Sequence, residues 1–124
     1  MNVSEQARKA YAPTQFPVRT PRSIEAQLVG KITAKMRRVA ANPKDFTGLA
    51  EAIHENRQMW DTLAVNVVDD DNALPQLLRA QIFYLAEFTS QQSRLVLKGE
   101  GSIDALIDIN TSILRGLAGQ GGET

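Results

Sequence analysis

The chain has 124 residues, enough for one domain with its own core, and 43% of them are hydrophobic, which suits a globular protein rather than a disordered one. Its 14 Lys and Arg residues balance 14 Asp and Glu residues, so there is no net basic charge to attract nucleic acid, although a local basic patch stays open. The absence of cysteine excludes disulfides and thiolate zinc sites.

No targeting or membrane segment is evident in the sequence. The first residues lack the continuous apolar stretch of a signal peptide. No run approaches the roughly 20 apolar residues that span a bilayer. We therefore expect a cytoplasmic protein that does not bind membranes.

Residues 1–20 are predicted to form an arm with a short helix and a connector. The helix covers about the first dozen residues. Pro13, Pro17 and Pro21 then disfavour helix, both at their own positions and at the residues before them, so the connector is extended. Phe16 lies in this connector and is free to dock on another surface.

The first long helix is predicted to start at Thr20-Pro21, a hydroxyl N-cap followed by proline at the first helical position, and to end at Asn42-Pro43. Apolar residues recur three or four positions apart, which indicates one buried face. They are Ile24, Leu28, Ile32, Met36 and Val39. The other face is basic and carries Lys31, Lys35, Arg37 and Arg38.

The second helix is predicted to begin between Pro43 and Phe46 and to end in the acidic stretch VVDDDN. Its apolar seam is heptad-like, with a single polar member, Asn56. The seam comprises Phe46, Leu49, Ile53, Asn56, Trp60, Leu63 and Val67.

The third helix is predicted to be capped by Asn72 or Asp71, with Pro75 in its first turn, and to stop at Lys98-Gly99. One face is formed by Leu74, Leu78, Ile82, Leu85, Thr89 and Val96. Further apolar side chains spread around the rest of the helix: Leu77, Phe83, Tyr84, Phe88 and Leu95. Such a helix is either central to the fold or covered by a partner.

The fourth helix is predicted to start at Gly101-Ser102 and to end before a flexible tail at residues 119–124. Its apolar stripe is interrupted by Asn110. Because no alternating strand pattern occurs, we expect an all-α protein. The predicted architecture is a small helical bundle of four main helices over residues 21–118, with the short N-terminal helix and proline-rich connector before it.

A search for catalytic or metal-binding residues finds no complete constellation. His54-Glu55 resembles the opening of a metalloprotease motif, but position 58, where the second histidine belongs, is Gln58. No serine lies in a glycine elbow, and the adjacent acids Asp69, Asp70 and Asp71 lack the alternate spacing of a calcium loop. We therefore predict a protein that is not an enzyme and holds no metal or cofactor.

Asn56 and Asn110 interrupt two long apolar stripes, so they could meet inside the bundle. Arg57 lies beside the same seam and could donate to a carboxylate or a backbone carbonyl. Two interpretations stay open. The asparagines satisfy each other or water within the fold, or they take part in binding together with Arg57 and Trp60.

Several blocks together carry a family resemblance: Thr20-Pro21-Arg22, LAEAIHENRQMWDTLA (49–64), LPQLLRAQI (74–82) and GEGSIDALIDINTSILRGL (99–117). The chain resembles the alphaproteobacterial flagellar regulator family FlaF from about residue 5 onward. The resemblance implies a cytoplasmic, non-enzymatic helper that promotes flagellin synthesis and export and binds flagellin as a secretion chaperone. It also implies a functional link to the regulator FlbT.

The candidate flagellin surface comes from the physical pattern rather than from the family. Phe83, Tyr84, Phe88 and Leu95 cannot all face the core that Ile82 faces, so a client helix could cover them, with Phe16 acting as a strap. The N-terminal segment of the same chain, or a homodimer contact, are the alternatives.

Two other functions are weighed against the chaperone hypothesis. A translational regulator would contact flagellin mRNA through Lys31, Lys35, Arg37 and Arg38, although zero net charge argues against a direct nucleic-acid partner. An enzyme or metal protein centred on His54 is the least favoured hypothesis.

Overall fold

The structure is a computed structural model that describes the backbone of residues 21–69 and 71–121 and the side chains of residues 26–69 and 71–117. It contains four helices: α1 (Pro21–Ala40), α2 (Phe46–Val67), α3 (Gln76–Leu97) and α4 (Ile103–Gly121). No strand occurs in these ranges, so the predicted all-α bundle of four main helices is confirmed. The predicted N-terminal helix and proline-rich connector lie outside the described residues.

The four helices form a closed ring in which each helix packs against two neighbours. The backbones approach each other along α1–α2, α2–α3, α3–α4 and α4–α1. Within the described residues the backbones of the diagonal pairs stay apart, and α2 meets α4 across the centre through side chains. Short loops join successive helices, which favours antiparallel neighbours. The interface between α1 and α4 is the most extensive, and the interface between α3 and α4 is the least extensive.

The core divides into two apolar clusters, one towards each end of the bundle. The larger cluster joins Val29 of α1, Trp60 of α2, Ile82 of α3 and Leu117 of α4. The smaller cluster joins Met36 and Ile53 with Val96 and Leu106 of the same four helices. Along each helix a stretch with buried polar residues separates the two clusters, and that stretch becomes important for the site.

Local hydrogen bonds define the start of α2 and the end of α3. The carboxylate of Asp45 accepts a hydrogen bond from the Gly48 N–H at 2.9 Å and caps α2. At the end of α3, Gly99 adopts a φ of 78°, and the N–H groups of Gly99 and Glu100 donate to the carbonyls of Val96 and Leu95. This is a Schellman motif, in which glycine takes the left-handed conformation without steric cost, so the predicted glycine stop is confirmed.

The predicted start of the third helix was wrong by a few residues. Pro75 is the N-cap of α3 with a ψ of 146°, so it lies outside the helix rather than in its first turn. Proline also disfavours the helical conformation at the preceding residue, Leu74. The Asn72 side chain instead accepts a hydrogen bond from the Leu74 N–H at 2.9 Å and stabilises the turn between α2 and α3.

Three further details correct the sequence interpretation. Leu28 is exposed, because α1 buries Val29, Ile32 and Met36 between two neighbouring helices instead of one stripe centred on Leu28. Phe46 is exposed because it occupies the first residue of α2, at the end of the bundle. The fourth helix continues to Gly121, past the predicted end at residue 118, since glycine weakens a helix without breaking it.

Among the described residues, no helix combines the length and the apolar character needed to cross a membrane.

Candidate functional site

The stretch between the two apolar clusters contains a buried polar layer, which we define as Thr33, Asn56, Thr89, Ser93 and Asn110. Each of the four helices contributes to it, and every member is at most 1% exposed. Since buried polar groups are costly unless they are hydrogen-bonded, the partners of these side chains decide what the layer does.

Asn110 is the centre of the polar layer. Its amide oxygen accepts a hydrogen bond from the Trp60 indole Nε1–H at 2.8 Å. Its amide Nδ2 donates to the Asn56 Oδ1 at 2.9 Å and to the Thr33 Oγ1 at 3.0 Å. The Thr33 hydroxyl in turn donates to the Val29 carbonyl at 2.6 Å. One side chain of α4 therefore ties α1 and α2 together, and the predicted meeting of the two asparagines is confirmed.

The polar side chains that α3 contributes to the layer lack hydrogen-bond partners within the described residues. Three buried atoms have no hydrogen-bond partner among the described protein atoms: Asn56 Nδ2, Thr89 Oγ1 and Ser93 Oγ. Two of them belong to α3, and no hydrogen bond in the layer joins that helix to the network centred on Asn110. Side-chain hydrogen bonds therefore hold α1, α2 and α4 at this level, whereas α3 is held there by packing.

The polar layer is suited to specifying the packing of the helices rather than to chemistry. None of its members ionises at neutral pH, and none is accessible from solvent. A buried amide in an apolar seam penalises helix registers that would leave it unpaired. The structure thus places Asn56 and Trp60 in the interior, where a docked partner cannot reach them while the bundle is closed.

The side chain of His54 lies on the exposed side of α2, away from this layer. Within the part of the chain that the structure describes, no group of three or more histidine and acidic side chains is arranged to hold a metal ion. Residues 54–60, HENRQMW, form a helical segment in which Asn56 and Trp60 face inward and His54 faces outward.

The outer surface of α3 carries an apolar stripe, which we call the α3 stripe: Leu77, Tyr84, Phe88 and Leu95. Their spacing of seven, four and seven positions puts them on one side of the helix. The side chains are 72%, 70%, 41% and 39% exposed, in that order. The prediction that the apolar residues around α3 do not all face the core is confirmed by these values.

The α3 stripe borders a groove between α3 and α4. The groove has a volume of about 410 Å³, and its lining includes Tyr84 and Leu85 of α3 with Ser112 and Gly116 of α4. At Gly116 an added Cβ would lie 3.3 Å from the Leu78 side chain, so the small residue lets the two helices approach closely at the groove floor. Since this is the least extensive interface of the bundle, apolar surface of α3 stays uncovered here.

The remaining predicted site residues lie elsewhere. Phe83 is exposed, but it lies on a different side of α3 from the α3 stripe. Arg57 is half-buried on α2. Phe16 lies outside the described residues. The structure therefore brings Tyr84, Phe88 and Leu95 together on one surface and separates them from Asn56, Arg57 and Trp60.

The basic face of α1 is partly neutralised within the bundle. The Lys35 Nζ lies 2.8 Å from a carboxylate oxygen of Glu55 and 4.0 Å from one of Glu51. The Arg37 guanidinium donates to the Thr111 hydroxyl at 3.1 Å. Lys31 and Arg38 are exposed.

The chain matches the family described as flagellar protein FlaF over residues 7–117. The chain belongs to the FlaF family. It is therefore a protein related to the flagellum. No curated protein and no solved structure matches the chain.

The blocks that resemble FlaF turn out to be largely architectural. Asn56, Trp60 and Asn110 build the polar layer. The guanidinium of Arg79, from the block L-P-x-x-L-R-A, donates to the Val67 and Asp69 carbonyls at 2.9 and 3.0 Å and so caps the end of α2. The FlaF blocks therefore specify how the helices pack, and the α3 stripe contributes little to them.

Sequence reasoning missed several members of these features. The periodicity of α3 places Thr89 on the buried face, but nothing in the sequence distinguishes Thr33 or Ser93, because hydroxyl residues occur on any helix face. The groove between α3 and α4 has a weak signal in the small residues Ser112 and Gly116. Neither residue alone indicates which neighbouring helix it faces.

Proposed function

We propose that this FlaF protein is a non-enzymatic, cytoplasmic regulator of flagellum biosynthesis that binds flagellin as a secretion chaperone and promotes its synthesis and export. The observation that carries the proposal is the α3 stripe beside an open groove. Large apolar side chains that remain exposed along one line on a small protein mark a surface for another polypeptide.

The dimensions of the α3 stripe fit a helical client. Leu77 and Leu95 are 18 positions apart, which at 1.5 Å per residue is about 27 Å along the helix axis. An amphipathic helix laid along this line would bury its apolar face against the stripe and the groove. Flagellin awaiting export has amphipathic ends that later pack in the filament, and covering them is the task that the FlaF resemblance implies.

The competing function, direct contact with flagellin mRNA, has less physical support. Lys35 is paired with Glu55, and Arg37 is bonded to Thr111, so two of the four proposed cations have partners within the bundle. No aromatic side chain stands among them to stack on bases. FlbT remains a second partner that the family resemblance predicts.

The proposal is tested by calorimetry between the full chain and purified flagellin. Replacing Leu77 and Tyr84 together by serine should weaken binding at least tenfold, because the client loses apolar contacts at two of the most exposed positions of the α3 stripe. Val65→Ser is the matched control, since Val65 is 68% exposed on α2 and lies outside the stripe. It should leave the affinity within twofold of the wild type.

Two outcomes would overturn the proposal. One is wild-type affinity in the Leu77→Ser, Tyr84→Ser double variant with its helical circular dichroism intact. The other is a wild-type dimer that the double variant converts to a monomer with flagellin binding unchanged, which would make the α3 stripe a self-association surface.

A further inference from the structure

A second groove lies on another face of the bundle, between α1 and α2, and the flagellin proposal does not use it. Its volume is about 600 Å³. Leu28, Ile32 and Met59 line its floor, with Leu28 45% exposed. The floor is thus apolar, and Leu28 supplies most of its accessible surface, because Ile32 and Met59 are only 7% and 5% exposed.

The α1 wall of this groove is basic. Lys31, Lys35 and Arg38 all line it, and their spacing of four and three positions puts them on one edge of the helix over about 10 Å. The α2 wall offers polar groups instead, Glu55 and Gln58 among them. The groove therefore combines an apolar floor with one positively charged edge.

Glu55 shows that this basic edge can bind a carboxylate. Its carboxylate lies 2.8 Å from the Lys35 Nζ, and the Lys35 side chain is only 29% exposed as a result of its position in the groove. Lys31 and Arg38, one helical turn to either side, have no hydrogen bond or ion pair within the described residues. Lys35 is therefore paired with Glu55, and Lys31 and Arg38 are available to bind a ligand.

We propose that the groove between α1 and α2 binds an acidic amphipathic helix of another protein. Its apolar side chains would lie chiefly on Leu28, above the buried Ile32 and Met59, and its carboxylates would lie beside Lys31 and Arg38. Acidic residues spaced three, four or seven positions apart on such a helix would match the cations along the edge.

Charge excludes the other candidate occupants of this groove. The arm at residues 1–20 carries three basic residues and one acidic residue, so it is repelled by the basic edge. A second copy related by a twofold axis at this groove would place its own Lys31 and Arg38 against the same edge and bring like charges together. RNA exposes phosphates and sugars rather than a continuous apolar face that could cover Leu28.

The test uses the full chain and a fluorescein-labelled helical peptide of 15 residues, with leucine along one face and glutamate at three positions spaced four and three apart. We expect micromolar binding by fluorescence anisotropy that weakens as salt is raised. Lys31→Glu together with Arg38→Glu should weaken binding at least tenfold. Leu28→Ser should weaken it less and without a change in salt dependence.

Two comparisons separate local recognition from net charge. Arg94→Glu in α3 with Lys98→Glu at its C-cap makes the same change in charge and should leave binding within twofold of the wild type. A peptide with lysine in place of the three glutamates should bind the Lys31→Glu, Arg38→Glu variant better than it binds the wild type.

Three results would overturn the inference. They are no binding of the acidic peptide to the full chain, equal losses in the two charge-reversed variants, and tighter binding of a labelled 20-nucleotide oligouridine than of the peptide at the same salt. Flagellin calorimetry on the Lys31→Glu, Arg38→Glu variant should be unchanged, so failure here is distinguishable from failure of the chaperone proposal.

Discussion

At the scale of single residues, Asn110 is the centre of the buried hydrogen-bond network. Its side-chain amide makes three hydrogen bonds inside the bundle, to Trp60, Asn56 and Thr33. Each partner would be left with an unsatisfied or weakened polar group if the amide were removed. Asn110 is thus a stabilising residue whose loss affects three helices at once.

We expect Asn110→Ala to lower the free energy of unfolding by about 3 kcal/mol or more. The change strands the Trp60 indole N–H in the core and also leaves a cavity. Urea denaturation followed by circular dichroism measures the loss.

Thr89→Val provides the matched control in the same layer. Because the Thr89 hydroxyl is buried without a protein partner, replacing it by a methyl group of similar size should change stability by less than about 1 kcal/mol or increase it. A loss at Thr89 as large as the loss at Asn110 would contradict this account of the layer.

The pairing of Asn56 with Asn110 was predictable because each residue interrupts a helical apolar stripe, and 3.6-residue periodicity is readable from sequence. The bond from Trp60 to Asn110 was not predictable. It depends on the rotamer of the indole and on the relative height of two helices, which only the packed bundle determines.

At the scale of helices and turns, Arg79 joins the end of α2 to α3, beside the turn that Asn72 stabilises. The Arg79 guanidinium reaches back to the Val67 carbonyl, which the end of α2 leaves without a helical partner, and to the Asp69 carbonyl in the turn that follows. The planar guanidinium of arginine can donate to both carbonyls, whereas the ammonium of lysine is a compact point charge.

We therefore expect Arg79→Lys to lower the free energy of unfolding by about 1 kcal/mol, the usual net value of one such hydrogen bond. Arg94→Lys on the same helix should change it by less than about 0.5 kcal/mol, because its bond to the Ser90 hydroxyl is exposed and 3.3 Å long. Thermal denaturation of the two variants side by side makes the comparison. Equal stabilities would show that the α2–α3 turn does not depend on Arg79.

The existence and approximate limits of all four helices were predictable from sequence, since glycine, proline and capping residues mark most of their ends. The start of α3 was not, because two local signals compete there. Asn72 is a good cap for a helix, but Pro75 imposes an extended conformation at the position that the predicted helix needed.

At the scale of the whole molecule, the interior and the surface carry different information. The residues shared with the FlaF blocks lie largely in the polar layer, the core and the α2–α3 turn, so they specify the bundle. The sequence also indicated that α3 has more apolar residues than one core can take. The sequence does not show which of these residues form one surface, because that depends on where α4 packs against α3 in the assembled ring.

The central claim is that flagellin covers the α3 stripe, and site-specific photo-crosslinking tests it most directly. A benzophenone amino acid placed at position 84, in the α3 stripe, should give a covalent adduct with flagellin. The same amino acid at position 65, equally exposed on α2, should give little or none. Equal crosslinking from both positions, or adducts from position 65 alone, would contradict the account.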